Sequence, residues 1–177
     1  MTEISVRVLD EEHWSDYKDV RLRALTESPE AFVASVEEEK EYPESRWRDR
    51  MNRSRRLLAE RDGAVVGVAS IGQERYVEEG VAELFGLWVA PEQRGAGVAR
   101  RLMEAAAQQA RKDEMKHIVY WVGTDNGRAV AFASSFGFRP TDSRRPMRIR
   151  GVDTDEDAEE TAMVLPLGSS GGTPTNL

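Results

Sequence analysis

The chain has 177 residues, with 32 acidic and 25 basic side chains and a formal net charge of −7. This balance argues against general nucleic-acid binding, which needs a basic face, and it is compatible with a cationic ligand. The absence of cysteine excludes disulfides, thiolate metal sites and a cysteinyl acyl-enzyme. The sequence also lacks an apolar run of membrane-spanning length and a signal-peptide core, so we expect a cytoplasmic protein without membrane contact.

The N-terminal part of the sequence predicts one strand and two helices. Residues 4–9 alternate between apolar and polar side chains, which is typical of a strand. Asp10 is a candidate N-cap for a helix that continues to about residue 26, and Pro43 begins another helix that ends at about residue 52. The acidic run 37–41 lies between them. We interpret it as a solvated helix face, and the alternative is a wall that faces a cationic substrate.

The remaining elements predict a mixed sheet. Residues 55–61 and 64–72 form two strands around Asp62-Gly63, a strong hairpin signal. The apolar run 81–89 adds a third antiparallel strand, and the strand 117–122 follows a helix and should lie parallel to it. A helix over 126–136 and a hairpin of 144–150 with 160–167, around the acidic loop 153–159, complete one domain over residues 1–167. The Gly/Ser/Thr-rich composition of residues 168–177 predicts a flexible tail.

A short glycine-containing segment links the run 81–89 to an amphipathic helix. Pro91 ends the strand, because proline lacks the N–H that a ladder needs, and the sequence from residue 93 then reads Gln-Arg-Gly-Ala-Gly. Gly95 and Gly97 permit a tight turn, and the first N–H groups of the helix have no partner within it. The turn is therefore a candidate phosphate site. The plainer alternative is that the glycines only form the turn.

Two other phosphate-binding motifs do not fit this segment. A Walker loop ends in Gly-Lys-Ser/Thr, whereas Gly97 is followed by Val98 and Ala99. A Rossmann fingerprint would place Arg100 where a third small residue belongs, and it should open the first βαβ unit of the chain. A dinucleotide-binding domain is therefore disfavoured.

Two motifs in the right order resemble those of the GNAT superfamily of acyl-CoA-dependent N-acyltransferases. The first is Arg94-x-x-Gly97-x-Ala99, after a strand that ends at residue 91. The second is Asn126-x-x-Ala129-x-x-Phe132, which ends in Phe-Gly-Phe at residues 136–138. The resemblance implies an α/β (α+β) fold: a mixed, mostly antiparallel sheet of about six to seven strands with a central splayed parallel pair and about four helices. It covers residues 55–140 well and the flanks only loosely.

The resemblance also implies where acetyl-CoA would bind. The pantetheine arm would insert between the splayed strands and bond to the backbone near Leu87, Trp88 and Val89. The pyrophosphate would lie on the N–H groups of the glycine loop, with Arg100 near the phosphates and Asn126 near the pantetheine. The full set of implied cofactor residues is Leu87, Trp88, Val89, Arg94, Gly95, Ala96, Gly97, Val98, Ala99, Arg100, Asn126 and Phe132.

Glu83 is the first candidate for the general base, since several family members place a glutamate on this strand. The alternative is that Glu83 is only paired with an arginine of the neighbouring strand. Strand parity puts residues 83, 85, 87 and 89 on one face, unless a bulge, plausible at Gly86, reverses it. Glu78 and Glu79, in the preceding loop, are weaker candidates.

The usual acid is missing, because many family members have tyrosine where this chain has Ala133. Three alternatives stay open: the thiolate leaves without a side-chain acid, a water bridges from Ser134 or Ser135, or Tyr120 substitutes. Ser135 is a weak candidate, since its side chain is short.

The acceptor implied by the sequence is a small primary amine. Relatives that acetylate protein N-termini often have a glutamate five residues before the motif asparagine, and this chain has Trp121 there. We therefore expect direct acetyl transfer in a ternary complex. The alternatives are a catalytically silent acyl-CoA-binding or regulatory module and a protein or peptide acetyltransferase. A homodimer is possible, and no metal is expected, since the Asp-x-Asp-x-Asp run from residue 153 lacks the glycine and final glutamate of an EF-hand loop.

Overall fold

A computed structural model describes residues 3–32, 34–72, 80–147 and 158–168. Its strands are β1 (Ser5–Leu9), β2 (Arg55–Arg61), β3 (Ala64–Gly72), β4 (Val81–Val89), β5 (His117–Gly123), β6 (Arg139–Pro146) and β7 (Glu159–Pro166). Its α-helices are α1 (Trp14–Glu27), α2 (Val36–Glu39), α3 (Glu44–Arg53), α4 (Val98–Lys112) and α5 (Gly127–Phe136). The predicted mixed α/β architecture is confirmed, with α2, a single turn, added to four longer helices.

The strands form one seven-stranded sheet in the order β1-β2-β3-β4-β5-β7-β6. Neighbouring strands are antiparallel except β4 and β5, which are parallel and joined through α4. The predicted hairpin between β2 and β3 is present, and Asp62 and Gly63 both have positive φ, at 54° and 77°. Two positive φ values in a two-residue turn match the right-handed twist of the flanking strands.

Helices cover both faces of the sheet. On one face α4 and α5 pack on the sheet through residues such as Leu102, Ala106 and Ala133, each fully buried. On the other face α1 and α3 enclose a second cluster, which contains the fully buried Trp47 and the buried Trp88 of β4. Successive side chains of a strand point to opposite faces, so β4 supplies both cores.

The N-terminal region differs from the prediction in two places. Asp10 does not cap an α-helix through its side chain; a 3-10 turn over Glu11–His13 comes first, and α1 then begins at Trp14. The carboxylate of Asp10 contacts the His13 ring instead, at 2.5 Å. The interpretation of run 37–41 as a solvated face is wrong for Glu39, which is 1% exposed.

At the C-terminal end, β6 begins at Arg139 rather than at the predicted residue 144, and β7 inserts between β5 and β6. Residues 153–157 of the predicted acidic loop, the alternative bases Glu78 and Glu79, and residues 169–177 of the predicted tail lie outside the described residues. Glu159, predicted in the loop, is instead the first residue of β7. Among the described residues, no helix is long and apolar enough to cross a membrane. The same residues contain no group of three or more His, Asp or Glu side chains suited to a metal ion.

Candidate active site

The central parallel strands separate halfway along their length. Pairing between β4 and β5 runs from Val81 opposite His117 to Leu84 opposite Tyr120. Beyond that point β4 continues to Val89 and β5 to Gly123, and each bonds only to its outer neighbour. Within the described part of the chain, the facing edges of β4 and β5 therefore present backbone groups without a strand partner. An extended ligand can bond to such an edge as an added strand does.

A bulge in β4 reverses the side-chain parity next to this opening. Val68 and Ser70 of β3 are two residues apart, but their partners Trp88 and Phe85 are three apart. Gly86 lies within this irregularity with a φ of 62°, a conformation that favours glycine. The bulge that the sequence suggested at Gly86 is therefore present.

The bulge sorts the side chains of β4 between the two faces. Glu83 and Phe85 face the α1–α3 side, whereas Leu87 and Val89 pack towards α4. Trp88 returns to the α1–α3 side. The parity predicted without a bulge would have put Glu83 and Leu87 on one face, and the bulge separates them.

The glycine loop lies where β4 ends and α4 begins. Gly95 and Gly97 have φ values of 85° and 88°, and a Cβ at either position would meet nothing within 4 Å. The open space in front of both residues means that their backbone can approach a ligand. Gly97 directly precedes α4, a helix of 15 residues, so unpaired N–H groups and the positive end of the helix dipole point into the same space.

Three arginines surround the space in front of this loop. Arg61, Arg100 and Arg101 line a cavity of about 540 Å³ together with Gly97. Arg61 comes from the end of β2, and its guanidinium donates to Gln93 at 3.3 Å. Only Arg100 was predicted from the sequence. Arg61 carries no motif signal, because its place beside the loop depends on the packing of β2 against α4. Arg101 follows Arg100 in the first turn of α4 and is not part of either motif.

Arg94 is exposed, and its side chain supports the loop through two hydrogen bonds. Its guanidinium donates to the carbonyl of Val89 and to the hydroxyl of Ser28, both at 3.3 Å. The same hydroxyl accepts a hydrogen bond from the Trp88 indole at 3.1 Å, and Ser28 is 2% exposed. This buried serine joins the end of α1 to both predicted cofactor-contacting segments. The sequence indicated only a helix break there.

The predicted second motif forms α5. The side chain of Asn126 accepts a hydrogen bond from the N–H of Ala129 at 3.1 Å, which caps the helix. Phe132 is half-buried against the core, and Ala133 is fully buried. Ser135 is exposed, and its hydroxyl donates to the carbonyl of Phe132 at 2.6 Å. Since its proton is engaged in that bond, the geometry gives no support to Ser135 as an acid.

Tyr120 is the described tyrosine closest in register to the strand opening. It pairs with Leu84 at the last parallel position, and its ring contacts Phe138 edge-on at 6.1 Å. Burial, and then the negative charge of Glu160, raises the pKa of Tyr120 above its usual value. The phenol is therefore protonated at neutral pH, and the raised pKa makes it a weaker acid than a free tyrosine.

Glu83 is buried, with its side chain 5% exposed, and Arg145 of β6 lies 3.6 Å from its carboxylate. Arg145 was not predicted, and it does not lie on a strand next to β4. The alternative raised from the sequence was an ion pair between Glu83 and an arginine of the neighbouring strand. The ion pair is present, but its arginine comes from the edge strand β6. An ion pair and a proton-accepting role are compatible, since the pair favours the carboxylate form.

A cavity of about 560 Å³ opens on the α1–α3 face in front of Glu83 and Gly86. Its aromatic wall is formed by Tyr17, Phe32, Tyr42 and Phe85, and its charged wall by Arg21, Arg50, Arg53, Arg56, Glu38 and Glu39. Glu38 and Glu39 of the acidic run 37–41 thus line the cavity, in agreement with the alternative that the run forms a wall of the site. Among the described lining residues, however, arginines outnumber glutamates, so the expectation that this wall favours a cationic substrate gains no support.

Glu39 is the centre of the charged wall. Arg21 donates two hydrogen bonds of 3.1 Å to its carboxylate, and Arg50 donates one of 2.7 Å. Burial alone would raise the pKa of Glu39, but the hydrogen bonds and charges of these two arginines outweigh burial and lower it. Glu39 is thus a structural carboxylate that ties α2 to α1 and α3.

Comparisons with known proteins place the chain in a family. Residues 10–138 match the model of the Acetyltransferase (GNAT) family. The chain is 33% identical over 127 residues to an uncharacterized N-acetyltransferase of Archaeoglobus fulgidus, which covers 65% of this chain and 83% of that protein. It is 28% identical over 129 residues to a mycothiol acetyltransferase of Acidothermus cellulolyticus, which covers 66% of this chain but only 38% of that protein.

Among solved structures, the Salmonella typhimurium protein YncA, determined with its cofactor acetyl-CoA, is similar in fold. The two have a TM-score of 0.71 and 19% sequence identity, and the match covers 97% of this chain and 98% of YncA. At this identity the likeness concerns the fold alone. Together with the family match over residues 10–138, more than half of the sequence, these findings establish that the chain belongs to the GNAT family of acetyltransferases.

Proposed function

We propose that this protein transfers the acetyl group of acetyl-CoA directly to the primary amine of a small molecule, with both substrates bound at once. The observation that carries the proposal is the alignment of the strand opening with the glycine loop. The unpaired edge of β4 ends at Val89, and the loop with Gly95 and Gly97 follows within a few residues. Acetyl-CoA fits this arrangement, because its extended pantetheine arm can lie along the edge of β4 while its phosphates lie on the loop.

The cofactor residues named from the sequence keep their proposed roles, and two arginines are added to them. The backbone of Leu87, Trp88 and Val89 is proposed to bond to the pantetheine arm. The Trp88 side chain is not proposed to contact the arm, since it is buried in the cluster that α1 and α3 enclose. The N–H groups of residues 94–99 are proposed to hold the pyrophosphate, except those of Arg94 and Ala96, which donate to the carbonyls of Pro91 and Gln93. Arg61 and Arg101 join Arg100 as candidate partners of the phosphates, because guanidinium groups pair well with phosphate oxygens.

The amine must lose a proton before it can attack, since an alkylammonium has a pKa of about 10.4 and no free electron pair. Glu83 is proposed to accept that proton, directly or through one water. The nitrogen then attacks the thioester carbonyl carbon, the C–S bond breaks, and the nitrogen loses its remaining extra proton to water. Tyr120 is proposed to protonate the leaving thiolate and to recover its own proton from water. Tyr120 is better supported in this role than Ser135, because it lies at the opening of the strands and the Ser135 hydroxyl donates to the carbonyl of Phe132.

The cavity in front of Glu83 supports a small acceptor. Its volume of about 560 Å³ suits a small molecule rather than a folded protein surface, and α1 and α2 enclose it from outside. A protein or peptide amine is the alternative that the same chemistry permits. A catalytically silent acyl-CoA-binding module is the second candidate, and the burial of Ala133 where relatives have a tyrosine favours it.

Calorimetric titration with acetyl-CoA tests the cofactor site through a matched pair of variants. Gly97→Glu puts a side chain and a negative charge into the proposed phosphate site, and we expect acetyl-CoA binding to be lost. Gly63→Glu, in the β2–β3 hairpin, is the control, since Gly63 has a similar φ of 77° and equally open space around it. Both variants carry the same backbone strain and charge change. Equal acetyl-CoA affinity in the two variants would contradict the site.

A further inference from the structure

Arg145 reaches from the edge strand β6 to the proposed base on β4. One nitrogen of its guanidinium lies 3.6 Å from the Glu83 carboxylate, and another donates to Glu160 of β7 at 2.7 Å. Two intervening strands, β5 and β7, separate β4 from β6 in the sheet. Arg145 also lies outside residues 10–138, which match the family model. The contact with Glu83 is therefore made by a residue outside the part of the chain that matches the family model.

Trp121 of β5 supports the arginine between its two carboxylates. The guanidinium carbon lies 4.3 Å from the centre of the indole ring, a distance at which the ring face attracts a cation. Trp121 follows Tyr120, the last paired residue of β5, so the stacked guanidinium lies beside the strand opening. Glu160 fixes one end of the planar group and Trp121 fixes its plane, which leaves the other end directed at Glu83.

Because Glu83 is buried, its contact with Arg145 affects whether its carboxyl group is charged. A carboxylate that is 5% exposed is costly to keep charged unless cations or hydrogen-bond donors compensate it. Arg145 is one such group, and Glu83 has further interactions in the protein. Arg145 itself is 35% exposed, so it keeps part of its own solvation while it lies next to a buried carboxylate.

We propose that Arg145 is a positioning residue for acetyl transfer, which keeps Glu83 ionised and directs its carboxylate toward the acceptor amine. The inference rests on the proposed function, in which Glu83 is the base. Arg145 acts through Glu83 and touches no reacting atom. Because it favours the carboxylate, it maintains the proton-free form of the base at a lower pH than burial alone would permit.

Other charged groups share the cavity with Glu83, and each of them stays in place when Arg145 is replaced. The cations come from α1, α3 and β2, and they are Arg21, Arg50, Arg53 and Arg56. The remaining titratable groups come from α1 and from α2 with the turn after it, and they are Tyr17, Glu38, Glu39 and Tyr42. Glu160 faces Arg145 rather than the cavity. Replacing Arg145 by glutamine therefore removes one cation next to Glu83 and takes away the partner of Glu160 at 2.7 Å, while the cavity groups named here are not substituted.

The chain offers a matched control one residue away. Arg144 lies on the opposite face of β6, where its guanidinium contacts the hydroxyl of Thr161 on the side of α5. Arg144→Gln and Arg145→Gln remove the same charge from the same strand. Arg145→Lys keeps the charge but loses the planar group that joins two carboxylates and stacks on Trp121.

A carboxyl titration measures the effect without any acceptor. The protein is prepared with 13C-labelled glutamate, and Glu83→Gln identifies the Glu83 signal by its disappearance. In Arg145→Gln we expect the midpoint of the Glu83 titration to rise by about one pH unit, because a cation next to a carboxylate favours its charged form. Arg144→Gln should leave the midpoint unchanged, and Arg145→Lys should fall between Arg145→Gln and wild type.

Rate profiles against pH complete the test, with the best acceptor from a panel of amino acids, polyamines and aminoglycosides. The acid limb of kcat/KM should move to higher pH by the same amount as the carboxyl midpoint. An unchanged Glu83 midpoint in Arg145→Gln would overturn the inference, whether or not Glu83 is the base. A midpoint that moves while the acid limb stays in place would overturn the assignment of Glu83 in the proposed function, and with it the catalytic role of Arg145.

Discussion

Replacing Glu39 by Gln should destabilise the protein by leaving two arginines without their shared carboxylate. Glu39 is 1% exposed, whereas the side chains of Arg21 and Arg50 are 16% and 20% exposed. Glutamine has the same shape but no charge, and its amide nitrogen would face a guanidinium.

The magnitude follows from the exposure of the three groups. Removing one partner of a fully buried ion pair costs about 3–5 kcal/mol. Arg21 and Arg50 retain some solvent, so we expect the lower end, about 3 kcal/mol. For a chain of this size that corresponds to a fall in Tm of about 6–12 °C.

Thermal and urea unfolding of wild type and Glu39→Gln would measure this loss, with Glu41→Gln as the control. Glu41 lies in the same acidic run, is exposed, and its replacement should change the free energy of unfolding by less than about 0.5 kcal/mol. Equal stability of the two variants would refute the structural role of Glu39.

The pH dependence of the same difference has a definite sign. The pKa of Glu39 is lowered in the folded protein, so its contribution is fully present above the unfolded-state pKa of about 4.3. That contribution is lost as the pH falls through the lower folded-state pKa. The stability difference between wild type and Glu39→Gln should therefore be largest at neutral pH and shrink in acid. A difference that grows in acid would contradict the ion-pair account.

Two further predictions concern the chemical step. Glu83→Gln should lower kcat at neutral pH by about 100-fold or more and leave the KM for acetyl-CoA nearly unchanged, since a base contributes to proton transfer rather than to cofactor binding. A wild-type rate and pH profile would place the base elsewhere. Tyr120→Phe should lower kcat by at least about 10-fold with unchanged acetyl-CoA affinity by calorimetry. If kcat keeps its wild-type value, the thiolate leaves without Tyr120.

Much of the fold could be predicted because its signals are local. Asp62-Gly63 specifies a two-residue hairpin by itself, and the bounds of β2, β3 and β4 followed from apolar runs that end at glycine or proline. The two motifs also gave the order of strands and helices around the opening. The possible bulge at Gly86 could be raised because only glycine occupies such a backbone conformation at little cost.

The features that were missed depend on contacts between distant parts of the chain. Glu39 looks like its solvated neighbours in sequence, and only the packing of α1 and α3 brings Arg21 and Arg50 to it. Arg145 reaches Glu83 only because β7 inserts between β5 and β6. Ser28 carries no signal beyond a helix break, since its two donors come from residues 60 and 66 positions away. No periodicity in a single sequence reports such contacts.

We propose that this protein binds acetyl-CoA in the strand opening and transfers the acetyl group to an amine held in front of Glu83. The most direct test is thiol release from acetyl-CoA by the purified protein, measured with and without each amine of the panel, in wild type and in Gly97→Glu. The account predicts amine-dependent thiol release by the wild type and none by the variant. Acetyl-CoA binding without thiol release for any amine would contradict it and would favour the silent module.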